Sequence, residues 1–87
     1  MPNQAEVDIY IAMTAGCETA ADITAYAFGI DKLRITDINR HDLQDLIRYN
    51  TFRARLSQTV HILRRLEREG YVYHADDNGT TVWRWKK

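Results

Sequence analysis

Residues 56–72 read LSQTVHILRRLEREGYV, and this stretch decides how the rest of the sequence is interpreted. Its apolar residues recur every three or four positions, which is the period of an amphipathic helix. Gly70 supplies the residue at which such helices commonly end, because glycine adopts a left-handed conformation without strain. The stretch therefore predicts a long helix over about 52–69, capped by Asn50 or Thr51, that runs directly into a strand.

This strand belongs to a predicted hairpin at the C-terminal end of the sequence. Its strands are Tyr71–Ala75 and Thr80–Lys86, and both are rich in β-branched and aromatic residues. Between them lies Asp76–Gly79, whose Asn-Gly pair is a strong signal for a tight hairpin turn. An isolated hairpin is only marginally stable. We therefore expect this one to pack on the helices through the strand face that carries Trp83 and Trp85.

Two helices are predicted near the N-terminus. Residues 3–15 have an apolar face at helical spacing, and this helix is apolar around much of its circumference. Thr19 is a suitable N-cap for a second helix, because its hydroxyl can accept from a free backbone amide of the first turn. We expect that helix to reach about Phe28 and to end at Gly29.

The segment between the second helix and the long one is harder to interpret. Leu33–Ile35 favours a short strand, and residues of about 37–48 favour a helix capped by Thr36 or Asp37. A chain of 87 residues has room for one small domain. The sequence thus predicts a single α+β domain, mostly helical, with three or four helices and a C-terminal two-stranded hairpin.

The charge of the protein is zero overall but unevenly distributed. Residues 1–31 hold five acidic residues and no basic ones, whereas residues 32–87 hold all 12 basic residues and seven acidic ones. Residues 48–66 contain five arginines and no acid. A partner responds to the local field rather than to the net charge, so this asymmetry favours a polyanionic partner for the C-terminal part.

Several classes of protein are disfavoured. The single cysteine, Cys17, excludes an internal disulfide. His41, His61 and His74 lie on separate predicted elements, so their spacing does not indicate a metal site. No set of nucleophile, base and orienting residue occurs, and we expect no enzyme activity and no cofactor. Without a signal peptide or an apolar run of about 20 residues, we expect a cytoplasmic protein with no membrane partner.

On a helical wheel, residues 52–69 separate into an apolar arc and a polar face. The apolar arc consists of Phe52, Leu56, Thr59, Val60, Leu63 and Leu66. The opposite face is basic, and it comprises Arg53, Ser57, His61, Arg64 and Arg68, with Gln58 and Arg65 beside them. Arg, Gln and Ser are residue types that reach base edges and phosphates, so this face predicts nucleic-acid binding.

The same stretch resembles the junction between the recognition helix and the wing of winged helix-turn-helix regulators. In that family the last helix ends in a Leu-x-x-Leu-Glu-x-x-Gly-aromatic/aliphatic-Val pattern. This sequence matches the pattern at Leu63, Leu66, Glu67, Gly70, Tyr71 and Val72. The Asn-Gly hairpin matches the wing, and residues 19–30, TAADITAYAFGI, are similar to the second helix of the family. The resemblance covers most of the chain and implies a winged helix-turn-helix domain.

About twenty residues separate residues 19–30 from the long helix, where the family has a short turn. Two alignments follow. In one, 19–29 is the positioning helix and 37–48 is an insertion. In the other, which we prefer, 37–48 is the positioning helix and Leu33–Ile35 is the family's first short strand. The second keeps the order strand, helix, recognition helix, wing, and both give the same recognition helix and wing.

The resemblance implies sequence-specific binding of double-stranded DNA by a small transcriptional regulator that occupies an operator. The recognition helix would enter the major groove with its N-terminal half nearest the bases. Contacts with bases or nearby phosphates are expected from Arg53, Ser57, Gln58 and His61, backbone contacts from Arg55 and Arg64, and wing contacts from Asn78, Thr80 and Arg84. Arg65 is also expected among the DNA-binding residues. A homodimer through the N-terminal helix would fit the reading of two half-sites.

Other functions are compatible with the same sequence. A winged helix can instead bind a protein, through the acidic N-terminal surface or an exposed aromatic patch, or it can be an accessory subunit of a nucleic-acid-processing complex. Trp83 and Trp85 alternate with basic residues, a pattern of single-strand binders. We expect both rings to pack on the helices, and Tyr71 and Tyr73 to be the more exposed aromatic residues.

Overall fold

Three helices and a hairpin make up residues 3–30, 38–39 and 41–86, the part of the chain that this computed structural model describes. The helices are α1 (Gln4–Thr14), α2 (Ala20–Phe28) and α3 (Leu43–Arg68), and the strands are β1 (Val72–Asp77) and β2 (Thr80–Trp85). This order confirms the predicted small α+β class, with helices followed by a C-terminal hairpin.

Side-chain caps define the starts of the first two helices, and the sequence predicts the second of them, at Thr19. The Asn3 side chain accepts a 2.9 Å hydrogen bond from the backbone amide of Glu6 at the start of α1. Thr19 Oγ1 accepts from the amide of Asp22 at 3.2 Å at the start of α2. α2 ends at Gly29, whose φ of 65° is the left-handed conformation expected of a glycine cap. Both predicted helices are confirmed.

The third helix is longer than predicted. α3 is continuous from Leu43 to Arg68, and its N-cap is Asp42, whose side chain accepts a hydrogen bond from the amide of Gln44. A separate helix at about 37–48 and a new cap at Asn50 or Thr51 are therefore wrong. Asn and Thr cost a helix interior less than about 1 kcal/mol each, and no proline or glycine interrupts the segment.

The end of α3 follows the prediction, since Gly70 adopts a φ of 86° directly after the helix. The predicted strand at Leu33–Ile35 and the predicted caps at Thr36 and Asp37 lie outside the described residues. Because 43–48 is the start of α3, the preferred alignment, with 37–48 as a positioning helix, is also wrong. Within the described residues, α2 is the short helix that packs on α3.

The hairpin turn is tighter than predicted. β1 pairs antiparallel with β2, and Asp76 and Asp77 belong to β1, opposite Thr81 and Thr80. The loop is therefore two residues, Asn78 and Gly79, with φ angles of 52° and 84°. Positive φ at both central positions matches the twist of the flanking strands, which is why Asn-Gly favours such a short connection.

One core joins all five elements. The arc of α3 that the sequence assigns to the core contains Phe52, Thr59, Leu63 and Leu66, which are buried, and Leu56 and Val60, which are half-buried. Ile62 is buried as well, and it belongs to the same core cluster as residues of α1 and α2. The core cluster comprises Ile9, Ala12, Ile23, Ile62, Leu63, Leu66, Val72 and Trp83.

The hairpin is also held by the turn between α1 and α2. The amide of Trp83 donates to the carbonyl of Glu18 at 2.7 Å, so this turn lies along the edge of β2. Trp83 is buried as expected, whereas Trp85, at the end of β2, remains 38% exposed. No helix in the described residues combines the length and apolar character needed to cross a membrane.

Candidate nucleic-acid interface

The basic face of the long helix is exposed along its whole length. Its side chains recur every three or four residues, so they project from one side of α3 while the opposite side enters the core. We call this surface the basic strip, and it consists of Arg53, Ser57, His61, Arg64 and Arg68, all of them exposed. At 1.5 Å per residue it spans roughly 22 Å.

Aromatic rings and an amide contact the arginines near the start of the strip. The Arg53 guanidinium lies over the Tyr49 ring, 5.7 Å from its centroid. Arg55 lies on another side of α3, facing α2, where its guanidinium is 5.1 Å from the centroid of the Phe28 ring. Its Nη1 also donates to Gln58 Oε1 at 3.1 Å, so these two predicted site residues lie together. Such contacts restrain long side chains and leave their donors at the surface.

Arg65 has a different environment from the rest of the predicted set. Its guanidinium forms an ion pair with Glu6 of α1, and its side chain is only 34% exposed. This pair ties α1 to the C-terminal half of α3. The guanidinium of Arg65, one of the predicted DNA-binding residues, is thus engaged inside the protein.

Arg84 is likewise engaged. Its Nε donates to Glu18 Oε2 at 3.1 Å. The hydrogen bond to Glu18, the charge of that carboxylate and a hydrogen bond with Tyr73 hold the pKa of the Arg84 guanidinium above its usual value. Arg84 therefore fastens the hairpin to the turn between α1 and α2.

The hairpin tip carries both donors and negative charges. Asn78 and Thr80 are exposed, as their predicted role in the wing requires. Asp76 and Asp77 are exposed at the same end. The two carboxylates oppose the approach of a phosphate, so the tip is a poorer anion-binding surface than the basic strip.

Apolar side chains continue the strip toward the start of α3. Leu43, Leu46 and Ile47 are 69%, 36% and 49% exposed, respectively, and their helical positions place them on the same side as the strip. The face of α3 is thus apolar over its first two turns and basic over the following four.

The histidines of the described residues lie apart from one another. The three histidines are distributed over the segment before α3, α3 itself and β1, and His74 Nδ1 contacts Glu67 Oε2. Within the described ranges, no group of three or more His, Cys, Asp or Glu side chains is placed to hold a metal ion. Partial burial and the nearby Asp22 carboxylate raise the pKa of the Cys17 thiol, which makes it less nucleophilic.

Sequence reasoning missed the roles of Glu6 and Glu18. The signal was present in the charge asymmetry, because an acidic N-terminal segment and a basic C-terminal segment can pair within one fold. These two glutamates account for that pairing at Arg65 and Arg84.

Comparison with protein-family models gives no match for this sequence, and neither do comparisons with curated proteins and with solved structures.

Proposed function

We propose that this protein binds double-stranded DNA through the basic strip of α3, as a sequence-specific, small transcriptional regulator. The observation that carries the proposal is the strip itself. Five exposed side chains, three of them arginines, line one side of a helix whose other side is fixed in the core. From residue 46 to residue 66 the helix contains no acidic residue that would repel phosphates.

The dimensions and chemistry of the strip suit the major groove. The groove of B-DNA is about 12 Å wide and admits one α-helix. Arginine can bind guanine through two hydrogen bonds, and Ser57 and Gln58 offer shorter donors and acceptors for other bases. In this arrangement Arg53 and His61 face bases or nearby phosphates, and Arg64 contacts the DNA backbone.

The packing around α3 is consistent with a winged helix. α2 packs on α3, and the hairpin follows α3 directly. The turn before α2 bonds to the edge of β2 through Glu18 and Trp83, at 2.7 Å. This gives the order of an edge segment, a short helix, a long exposed helix and a hairpin, which is the order expected from the family resemblance.

In this proposal, α3 contributes more than the hairpin to the affinity for DNA. Arg65 and Arg84 form ion pairs within the protein, so the proposal gives them structural roles. Asn78 and Thr80 remain available for a contact with an adjacent phosphate, but Asp76 and Asp77 oppose it. The strip therefore supplies most of the electrostatic attraction, and base contacts near its start supply the sequence preference.

The test is a fluorescence-anisotropy titration of a labelled random duplex at a series of salt concentrations. The wild-type protein should bind at low salt and lose affinity steeply as salt rises, because bound counterions are released. Arg64→Gln should weaken binding and reduce the slope of log affinity against log salt by about 1. Arg53→Gln/Arg64→Gln should weaken binding further.

Lys86→Gln is the matched control, since it removes the same charge from the end of the hairpin. It should leave the salt slope unchanged. Failure of the wild-type protein to bind any duplex at about 20 mM salt would refute the proposal, because the sequence-independent phosphate term does not require the right operator. An equal effect of Lys86→Gln and Arg64→Gln would refute the role of the strip.

A further inference from the structure

A second surface lies between α1, the end of α3 and the base of the hairpin. It is a cleft of about 680 Å³, within the range of volumes that binding sites occupy. We call it the aromatic cleft. The side chains that matter to its chemistry are Tyr10, Leu66, Tyr71 and Trp85, with Glu6 and Glu69 at its polar side.

Three aromatic rings of the cleft are exposed although they contact one another. Tyr10, Tyr71 and Trp85 are 44%, 52% and 38% exposed. The Tyr10 ring meets Trp85 edge to face at 4.8 Å between centroids, and Tyr71 stacks on Trp85 at 6.2 Å. Contiguous exposed aromatic surface on a small protein commonly marks an interaction site.

The charges of the cleft select the kind of ligand. Arg65 also lines it, and its guanidinium is paired with Glu6. Glu69 is exposed, and its carboxylate forms no ion pair or hydrogen bond with any residue that the structure describes. The lining thus presents electron-rich ring faces and one uncompensated carboxylate. Ring faces attract ammonium and guanidinium groups, and the carboxylate adds to the attraction.

The cleft and the basic strip occupy different sides of α3. Leu66 and Glu69 face the cleft, whereas Arg64 and Arg68 belong to the strip, roughly a third to a half of a turn away around the helix. A ligand in the cleft would therefore leave the strip free. A second copy of this chain could reach the cleft with its own strip only through a head-to-tail contact, which does not close into a symmetric dimer.

We propose that the aromatic cleft binds a cationic peptide segment of a partner protein. An arginine or lysine side chain lies on the rings of Tyr71 and Trp85, and its charge is balanced by Glu69. This site is separate from the DNA-binding strip, and the inference does not rest on the proposed function.

The probe is a short, fluorescein-labelled peptide of alternating Gly and Arg, titrated with the 87-residue protein and followed by anisotropy. A peptide of alternating Gly and Gln is the uncharged comparison. The wild-type protein should bind only the Arg peptide. Tyr71→Leu should weaken binding about threefold, since a cation–π contact at an exposed site is weak. Glu69→Gln should weaken it by a similar factor.

Asp76→Asn is the matched control, because it removes one negative charge at the far end of the hairpin and should not change binding. All three variants replace exposed side chains, and circular dichroism checks that they fold. Equal binding of both peptides, or equal effects of Asp76→Asn and Glu69→Gln, would overturn the proposal. So would self-association that Tyr71→Leu abolishes, since the occupant would then be a second copy. Binding of a labelled single-stranded oligonucleotide that Tyr71→Leu weakens would overturn it too.

Discussion

The backbone amide of Trp83 donates a 2.7 Å hydrogen bond to the carbonyl oxygen of Glu18. The Glu18 carboxylate also accepts a hydrogen bond from Arg84, so Glu18 contacts β2 through both its backbone and its side chain. The hairpin is held against the helices by this turn on one side and by the buried Trp83 ring on the other. Its position relative to α3 is therefore fixed by residues distant in sequence.

We expect Trp83→Ala to destabilise the protein by about 4 kcal/mol, because a large ring is removed from the core and a cavity remains. Trp85→Ala, which removes a ring that is 38% exposed, should cost less than half as much. Urea unfolding followed by far-ultraviolet circular dichroism measures both. Similar losses for the two variants would show that the hairpin does not dock through Trp83.

Thr51→Pro distinguishes one long helix from two. Proline is tolerated at the first position of a helix, where residue 51 would lie if Asn50 were a cap. Inside α3, proline removes a hydrogen bond and clashes with the carbonyl of residue 47, at a cost of about 3 kcal/mol. The variant avoids most of this cost if the helical turns that precede residue 51 unfold.

The measurement is the ellipticity at 222 nm, which should fall with Thr51→Pro as if about eight helical residues were lost. Thr51→Ala is the control and should retain the full signal, since alanine has the higher helix propensity. An unchanged signal for the proline variant would instead support a helix start near residue 51.

Thr24 and Thr59 offer a matched pair, since both are fully buried. Thr24 Oγ1 donates to the carbonyl of Ala20 at 2.7 Å, whereas Thr59 Oγ1 has no hydrogen-bond partner in the described residues. Replacing an unsatisfied buried hydroxyl by a methyl group removes a desolvation penalty. Thr59→Val should therefore stabilise the protein by about 1 kcal/mol. Thr24→Val should not stabilise it, because that substitution also removes a hydrogen bond.

Thermal unfolding by circular dichroism gives both values. A loss of stability in Thr59→Val larger than in Thr24→Val would mean that the Thr59 hydroxyl is satisfied in solution.

Cys17 provides a pH-dependent test of the packing between α1 and α2. Its thiol has a raised pKa, first because of burial and second because of the Asp22 carboxylate. The stabilisation from the neutral thiol is complete below the pKa of the unfolded state and is lost as pH rises through the higher, folded-state pKa. The thiolate is the form that reacts with iodoacetamide, so alkylation should require a higher pH in the native protein than in urea.

If the alkylation rate depends on pH in the same way in buffer and in urea, the Cys17 thiol is not buried as described. Asp22→Asn should move the native profile toward lower pH, because one of the two causes is removed.

Local signals in the sequence account for the elements that could be predicted. Thr19, Gly29 and Gly70 mark helix ends through their own backbone chemistry, and Asn78-Gly79 marks the turn, so these positions agree with the structure. The break predicted at Asn50 is wrong, because a polar residue that can cap a helix can also lie within one when no proline or glycine follows.

The candidate site could be predicted only in part. The periodicity of α3 identified the exposed side of the helix, including Arg53 and Arg64. It could not reveal that Arg65 pairs with Glu6, because that contact depends on how α1 crosses α3. The exposed position of Trp85 was missed for the same reason, since the end of a strand is covered only as far as the neighbouring helix reaches.

The Glu18–Trp83 hydrogen bond also has a consequence for the order of folding. It joins the first quarter of the chain to its last few residues, so its formation closes a loop that contains α2, α3 and β1. Closing so long a loop is entropically costly, whereas α3 and the hairpin involve near neighbours in the chain. We expect the long helix and the hairpin to form early and the N-terminal helices to dock in the slow step. Both ends of the chain then belong to one cooperative unit, and shortening either end weakens the other.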